Sequence, residues 1–192
     1  MKTYKKFTRF LQNKLLKNTT MSYKQRLSEI NTFIFDVDGV LTDGNVILDS
    51  SGEMVRTMHT KDGYALQHAV KKGYHIVIIT GGNSQMVKER LNGLGIKDIY
   101  LAAHQKLPIL ENHLKENNIE LNQVLYMGDD IPDIPCLKVV GVSTCPKDSA
   151  VEVREVCDYI SHINGGKGCV RDVLEQTMRV QNKWINDDSY SW

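Results

Sequence analysis

The chain has 192 residues, 41% of them hydrophobic, with 24 basic against 23 acidic side chains and a formal net charge of +1. This suits one domain with modest tails and a real core, and the balanced charge gives no general footprint for nucleic acid. No apolar run approaches the roughly 20 residues that span a bilayer, and the four cysteines form no C-x-x-C pair, so free thiols in a reducing cytoplasm are expected rather than zinc ligation.

Residues 1–29 are a basic extension, with no acid before Glu29. Phe7, Phe10, Leu11 and Leu15 would share one helical face. The segment reads as a basic surface helix, as a stretch upstream of an alternative start at Met21, or as a targeting segment. The lack of a long apolar region disfavours a secretory signal.

A domain is expected over 30–182. It opens on Thr32-Phe33-Ile34-Phe35, an apolar, β-branched and aromatic run that reads as a buried strand. The run leads straight into Asp36-Val37-Asp38-Gly39-Val40-Leu41-Thr42-Asp43-Gly44. Two carboxylates one residue apart repel each other unless a cation lies between them or one holds a proton. A turn alone could carry D-x-D-G, but its place at a strand end suggests a hard divalent metal, with Mg2+ the best fit. A calcium EF-hand is excluded, because the fifth, sixth and twelfth loop positions hold Val40, Leu41 and Ile47.

Two extended runs, 45–49 and 54–59, flank a Ser/Gly turn and read as a β-hairpin that could form a flap or an interface. Helices and strands then alternate. Asp62-Gly63 starts a helix that Gly73 stops, residues 74–79 form a strand ending at Thr80-Gly81-Gly82-Asn83, and Ser84 caps the next helix. A short strand over 98–101 precedes Lys106, and Pro108 suits the first turn of a helix. A strand over 123–127 ends at Gly128-Asp129-Asp130. Strands near 140–143 and 158–160 and a last helix after Gly165–Gly168 follow. Residues 183–192 form a polar tail expected to be loose. Such alternation argues for an α/β fold, a three-layer, Rossmann-like parallel sheet with helices on both faces.

The polar signals fall at strand ends, which share one edge of a parallel sheet. Asp36 would attack a phosphoryl group and form an aspartyl-phosphate, while Asp38 would protonate the leaving alcohol and then take a proton from water. Asp36, Asp129 and the Asp38 carbonyl would hold Mg2+. Thr80, Gly81, Gly82 and Asn83 would bind phosphate oxygens, and Lys106 would supply a fixed positive charge. Asp130 and Asp133 would support the metal ligands or add one contact. Arg171 is either a helix-surface arginine or an anion clamp. The six histidines show no ligand spacing in sequence and read as surface or packed residues. A phosphorylated receiver domain has similar ingredients, but its acidic pair comes first and its phosphoacceptor later, the reverse of the order here.

Asp36-Val37-Asp38-Gly39-Val40-Leu41-Thr42, Thr80-Gly81, Lys106 and Gly128-Asp129-Asp130-x-x-Asp133 resemble the four motifs of the haloacid dehalogenase superfamily of phosphatases. Asp-Gly-Val-Leu-Thr-Asp-Gly, the hairpin, Lys61-Asp62-Gly63 and Gly-Gly-Lys-Gly-x-Val-Arg at 165–171 narrow the resemblance to the 3-deoxy-D-manno-octulosonate 8-phosphate phosphatase group and the similar N-acylneuraminate 9-phosphatases. The resemblance implies a fold without a cap domain, a Mg2+-dependent reaction on a small phosphorylated sugar acid, and a homotetramer whose hairpins pack together. It also implies that Lys61 or Arg171 could reach the sugar acid. The group usually carries arginine after Thr-Gly, where this chain has Gly82, so Arg56, Lys61 or Arg171 would have to replace it. A nine-carbon sugar acid, a broader substrate range or a non-catalytic binding protein on the same fold are the competing readings.

Overall fold

The computed structural model describes residues 21–50 and 52–190. A short helix, α1 (Tyr23–Arg26), leads into a 3-10 turn and then β1 (Thr32–Phe35). A two-stranded antiparallel hairpin follows, β2 (Ile47–Leu48) and β3 (Met54–Val55). The chain continues as α2 (Thr60–Lys71), β4 (His75–Ile79), α3 (Gln85–Asn92), β5 (Asp98–Tyr100), α4 (Lys106–Glu116) and β6 (Val124–Met127). It closes with α5 (Ile134–Leu137), β7 (Val142–Cys145), α6 (Val151–Arg154), β8 (Tyr159–Ile160) and α7 (Cys169–Val180).

Six strands form one parallel sheet in the order β5-β4-β1-β6-β7-β8. The alternation of each strand sends side chains to opposite faces. Phe33, Phe35, Ile76, Ile78, Leu125 and Met127 pack with Leu66 and Ala69 of α2, Leu91 of α3 and Val173, Leu174 and Met178 of α7. Ile34, Val77, Ile79, Val124 and Tyr126 pack with Leu110 and Leu114 of α4 and Cys136 and Leu137 of α5. The central strands are apolar at nearly every position because both of their faces are covered. β1 lies at the centre, between β4 and β6 and their separate runs to the two edges, so its carboxyl end opens into the crevice where α/β sheets bind ligands.

The three layers and the hairpin match the expectation, and differences lie at element boundaries. α2 begins at Thr60, which places Asp62 inside its first turn. α4 begins at Lys106, so the predicted active-site lysine is itself helical. β7 runs two residues later than expected, reaching Cys145.

The packed body extends past both expected domain boundaries. Residues 1–20 of the basic extension lie outside the described residues. Of the rest, Arg26 is buried and donates to the Gly141 carbonyl at 2.6 Å and to Asp158 at 3.1 Å. Leu27 joins the core, and Tyr23 stacks on Tyr159. At the other end Trp184 is buried, its carbonyl lies 3.0 Å from the His68 ring, and the Tyr64 hydroxyl donates to the Ser189 carbonyl. The start of the tail is therefore anchored rather than loose, because one large aromatic residue covers α2.

Candidate active site

The floor of the site is built from the ends of β1 and β6 and the start of α4. Past the end of β1, the Asp36 N–H donates to the Met127 carbonyl at 3.1 Å, so the sheet ladder still fixes its backbone. Its side chain is buried. Oδ1 accepts the Val37 amide at 2.7 Å, and Oδ2 lies 2.8 Å from Lys106 Nζ. The same ammonium is 2.7 Å from Oδ1 of Asp133.

Asp133 is completely buried and accepts from four donors. Lys106 and the Tyr126 hydroxyl share Oδ1, each at 2.7 Å, while the amides of Asp129 and Asp130 approach Oδ2 at 3.2 and 3.4 Å. Such a carboxylate has no oxygen to spare. It fixes the ammonium and folds the loop after β6, which favours the supporting role over a metal contact.

The acids are out of balance. Asp36, Asp129 and Asp133 bring oxygens within 4.8 Å of one another, against a single ammonium. Burial, then the charges of Asp36 and Asp133, pushes the Asp129 carboxyl up to about 8. Burial and Asp133 push Asp36 up to about 6, with Lys106 pulling the other way. Oδ1 of Asp129 is buried without a hydrogen-bond partner. A surplus of acid groups over cations and an orphaned carboxylate oxygen fit a hard dication that takes oxygen ligands, as Mg2+ does. Asp36 and Asp129 are the side chains with capacity for it.

The rim is different. Asp38 is partly exposed, and Arg56, just beyond β3, holds both of its oxygens: Nε to Oδ1 at 2.6 Å and an Nη to Oδ2 at 3.0 Å. Gly82 is their neighbour. A Cβ there would lie 3.4 Å from Asp38 Oδ2 and 3.6 Å from the Arg56 guanidinium. Thr80 is buried at the end of β4, and its hydroxyl accepts the Gly82 amide at 3.2 Å. Ser84 caps α3, so the Thr80–Gly82 segment lies a few residues ahead of the helix mouth instead of forming it.

Asp36, Asp38, Thr80, Gly81, Gly82, Lys106 and Asp129 all line one cleft of about 500 Å³. Asp130, expected to support the metal ligands or add one contact, lines it as well, and so do His104 and Pro132, though nothing in the sequence setting of those two marked them as more than loop residues. Lys61, Asn83 and Arg171 do not line it. Lys61 and Asn83 are exposed. Arg171 pairs with Glu175 at 3.2 Å and lies over the rings of Trp184 and Tyr64, at 5.2 and 5.9 Å, in a separate cleft. It stays on its own helix because those partners already hold its guanidinium.

Two loops brace the first motif. Gly39 has φ +79°, and a Cβ on it would collide with the Asp129 carboxylate. A Cβ on Gly165 would collide with the Gly39 carbonyl, and the Gly166 amide donates to the Val40 carbonyl at 2.9 Å. The glycine-rich turn thus packs backbone against backbone under the acidic loop. Asp62 braces that turn from behind, accepting the Arg171 amide at 2.7 Å near the start of α7.

Comparison with known proteins finds relatives over most of the chain. The haloacid dehalogenase-like hydrolase family model matches residues 59–146. The 3-deoxy-D-manno-octulosonate 8-phosphate phosphatase KdsC of Salmonella typhi is 34% identical over 158 residues, 82% of this chain and 84% of the relative. The crystal structure of the phosphatase of that name from Yersinia pestis superposes with a TM-score of 0.81 at 32% identity, over 83% of this chain and 86% of that one. The Moraxella catarrhalis phosphatase, solved with a magnesium ion, a phosphate ion and a KDO molecule, gives a TM-score of 0.80 at 36% identity, over 83% of this chain and 91% of that one. With identity at this level across most of both chains, this protein belongs to the haloacid dehalogenase-like hydrolases, in the 3-deoxy-D-manno-octulosonate 8-phosphate phosphatase family.

Proposed function

We propose that the chain is a Mg2+-dependent phosphomonoesterase that hydrolyses 3-deoxy-D-manno-octulosonate 8-phosphate, in the cytoplasm, for lipopolysaccharide sugar synthesis. The observation that carries the chemistry is the buried line Asp36–Lys106–Asp133 beside the orphaned oxygen of Asp129. Mg2+, held by Asp36, Asp129 and the Asp38 carbonyl, would neutralise the repulsion between carboxylate and phosphate.

The side chains divide the rest of the work. Lys106 and the Val37 amide orient the Asp36 carboxylate, one on each oxygen. An Asp36 oxygen forms a bond to phosphorus as the bond from phosphorus to the sugar oxygen breaks. Asp38 gives its proton to that oxygen, then takes one from the water that attacks the aspartyl-phosphate and releases inorganic phosphate. Thr80 and Gly81 face the phosphoryl oxygens from β4, and Lys106 offsets their charge.

Arg56 supports the acid part of the substrate. It reaches the side of Gly82 where the family's usual arginine would start, and its guanidinium occupies both oxygens of Asp38. A sugar-acid carboxylate competing for that guanidinium would free Asp38 for proton transfer. Lys61 and Arg171 would reach the substrate only from a neighbouring subunit. The hairpin supports such an assembly, because Ile47, Leu48 and Met54 expose large apolar side chains. A homotetramer packed through its hairpins would cover them.

The test is phosphate release, with and without Mg2+, from the eight-carbon acid phosphate, N-acetylneuraminate 9-phosphate and common sugar phosphates. A Mg2+-dependent preference for the eight-carbon acid is expected. Preference for a nine-carbon acid would move the substrate assignment, and no release from a folded, Mg2+-loaded protein would favour a binding role. Sedimentation of Leu48→Asp against the native chain tests the tetramer.

A further inference from the structure

At the end of the sheet opposite the cleft, three metal-ligating side chains meet. His75 opens β4, Asp98 opens the edge strand β5, and His113 sits in the third turn of α4. The register pairs Val77 with Asp98 and Ile79 with Tyr100, so His75, Asp98 and Tyr100 share the face that α4 covers. His75 Nε2 lies 2.9 Å from Asp98 Oδ2 and 3.1 Å from His113 Nε2. All three ligand atoms fall within 4.8 Å of one another. Five strand residues at about 3.3 Å each separate this cluster from Thr80, roughly 16 Å along β4.

Protons alone serve this cluster badly. If His113 Nε2 donates to His75 Nε2, the His75 lone pair also faces the Asp98 carboxylate. If both Nε2 atoms carry hydrogen, the hydrogens oppose each other. The assignment without a clash makes one His75 proton serve two acceptors at once. A cation between the three atoms serves all of them. Ligands of a tetrahedral centre with bonds of about 2.0 Å lie about 3.3 Å apart, close to the two spacings here. The Tyr100 hydroxyl lies 2.8 Å from His113 Nδ1. That contact orients the ring and leaves Nε2 for the centre, as the outer partners of metal-bound histidines do.

We propose that His75, Asp98 and His113 form a second metal site, for a transition-metal dication such as Zn2+, with water in the fourth position. Two imidazoles and one carboxylate suit zinc-like ions and suit Mg2+ poorly, whereas the acid cluster in the cleft offers carboxylate oxygens. The side chains of His75 and Asp98 are 31% and 40% exposed, so an ion has an entry path and room for water. The bound ion ties β4, the edge strand β5 and α4 together, a structural role that does not depend on the phosphatase reading.

The test is cobalt spectroscopy on the full chain in excess Mg2+, which keeps the oxygen site filled. The expected result is the intense visible absorption of tetrahedral Co2+, saturating at one equivalent and lost on adding Zn2+. His75→Gln and Asp98→Asn should each abolish it while leaving the circular dichroism spectrum unchanged. Tyr100→Phe should keep the spectrum but weaken affinity about 10–100-fold. Zn2+ should raise the melting temperature of the native chain and not of His75→Gln. Weak octahedral bands alone, or a spectrum indifferent to both ligand variants, would overturn the proposal. Because the readout is optical, failure of the substrate assignment would leave this result standing.

Discussion

The floor and the rim of the cleft both contain an aspartate held by a cation, yet they are built on opposite terms. On the floor, Asp36 and Lys106 are buried and share Asp133, whose two oxygens take four donors. On the rim, Asp38 is partly exposed, and its arginine arrives from a two-residue hairpin strand. A buried constellation holds its geometry without substrate, which is what a transition state needs. A rim contact can exchange partners at modest cost, which is what recognition needs. On the proposed mechanism the reaction would be rooted in the sheet and the selectivity would hang from the hairpin.

The sharpest way to break this division is at Asp36, the proposed nucleophile. Asp36→Asn keeps the shape of the floor but removes the attacking charge, and turnover should fall by at least about 10⁴-fold on every substrate, measured by phosphate release. Retained activity would remove Asp36 from the mechanism. Lys106→Met comes next. It strands Asp133 and Asp36 in a buried site, and breaking such a pair costs about 3–5 kcal/mol. Denaturant unfolding should show that loss in the Mg2+-free protein and partial recovery in Mg2+.

Arg56→Ala should act more gently and selectively. The loss should be about 10–100-fold in kcat/KM for the sugar-acid phosphate, as expected for one charged hydrogen-bonded contact. The loss should be only a few-fold for p-nitrophenyl phosphate, which lacks the carboxylate and needs no proton on its leaving group. Equal losses on both would place Arg56 in the floor's chemistry.

The smallest effect belongs to Asp62, whose carboxyl is pushed up to about 6, chiefly by burial, against the usual 3.9 or so. The folded protein holds that proton more tightly than the unfolded chain. Stability from this group is therefore full below about pH 4 and is lost as pH rises to about 6 and above. Asp62→Asn removes the dependence. It should be more stable than the native chain by up to about 2 kcal/mol at pH 7.5, with the difference closing by pH 4 in urea melts.

The strand-end positions of the cleft were largely legible in the sequence. Asp36, Thr80 and Asp129 each follow an apolar run, and a parallel sheet gathers such positions at one edge whatever the spacing between them. The placement of Lys61 and Arg171 was not legible, because motif neighbours on a helix point where the helix face points, and Arg171 faces Trp184 and Tyr64. The Arg56–Asp38 pair depends on how a hairpin folds back across 18 residues, which no periodicity encodes. The meeting of His75, Asp98 and His113 was equally hidden. Metal motifs read from sequence rely on short spacings, and these three are joined by strand register and by one turn of a helix. Trp184 gave no warning either, since one aromatic residue in a polar stretch can point outward or inward with equal ease.

The contact of the Gly165–Gly166 turn with Gly39 and Val40 sets where the protein can change. Two main chains touch there with no side chain between them, so no residue can be traded for a slightly larger or smaller one. Random mutagenesis selected for new substrates should therefore gather its successes on the hairpin and around Gly82, and should return silence at the two glycine turns. A lineage of such enzymes could drift in what it recognises while that seam stayed letter for letter the same.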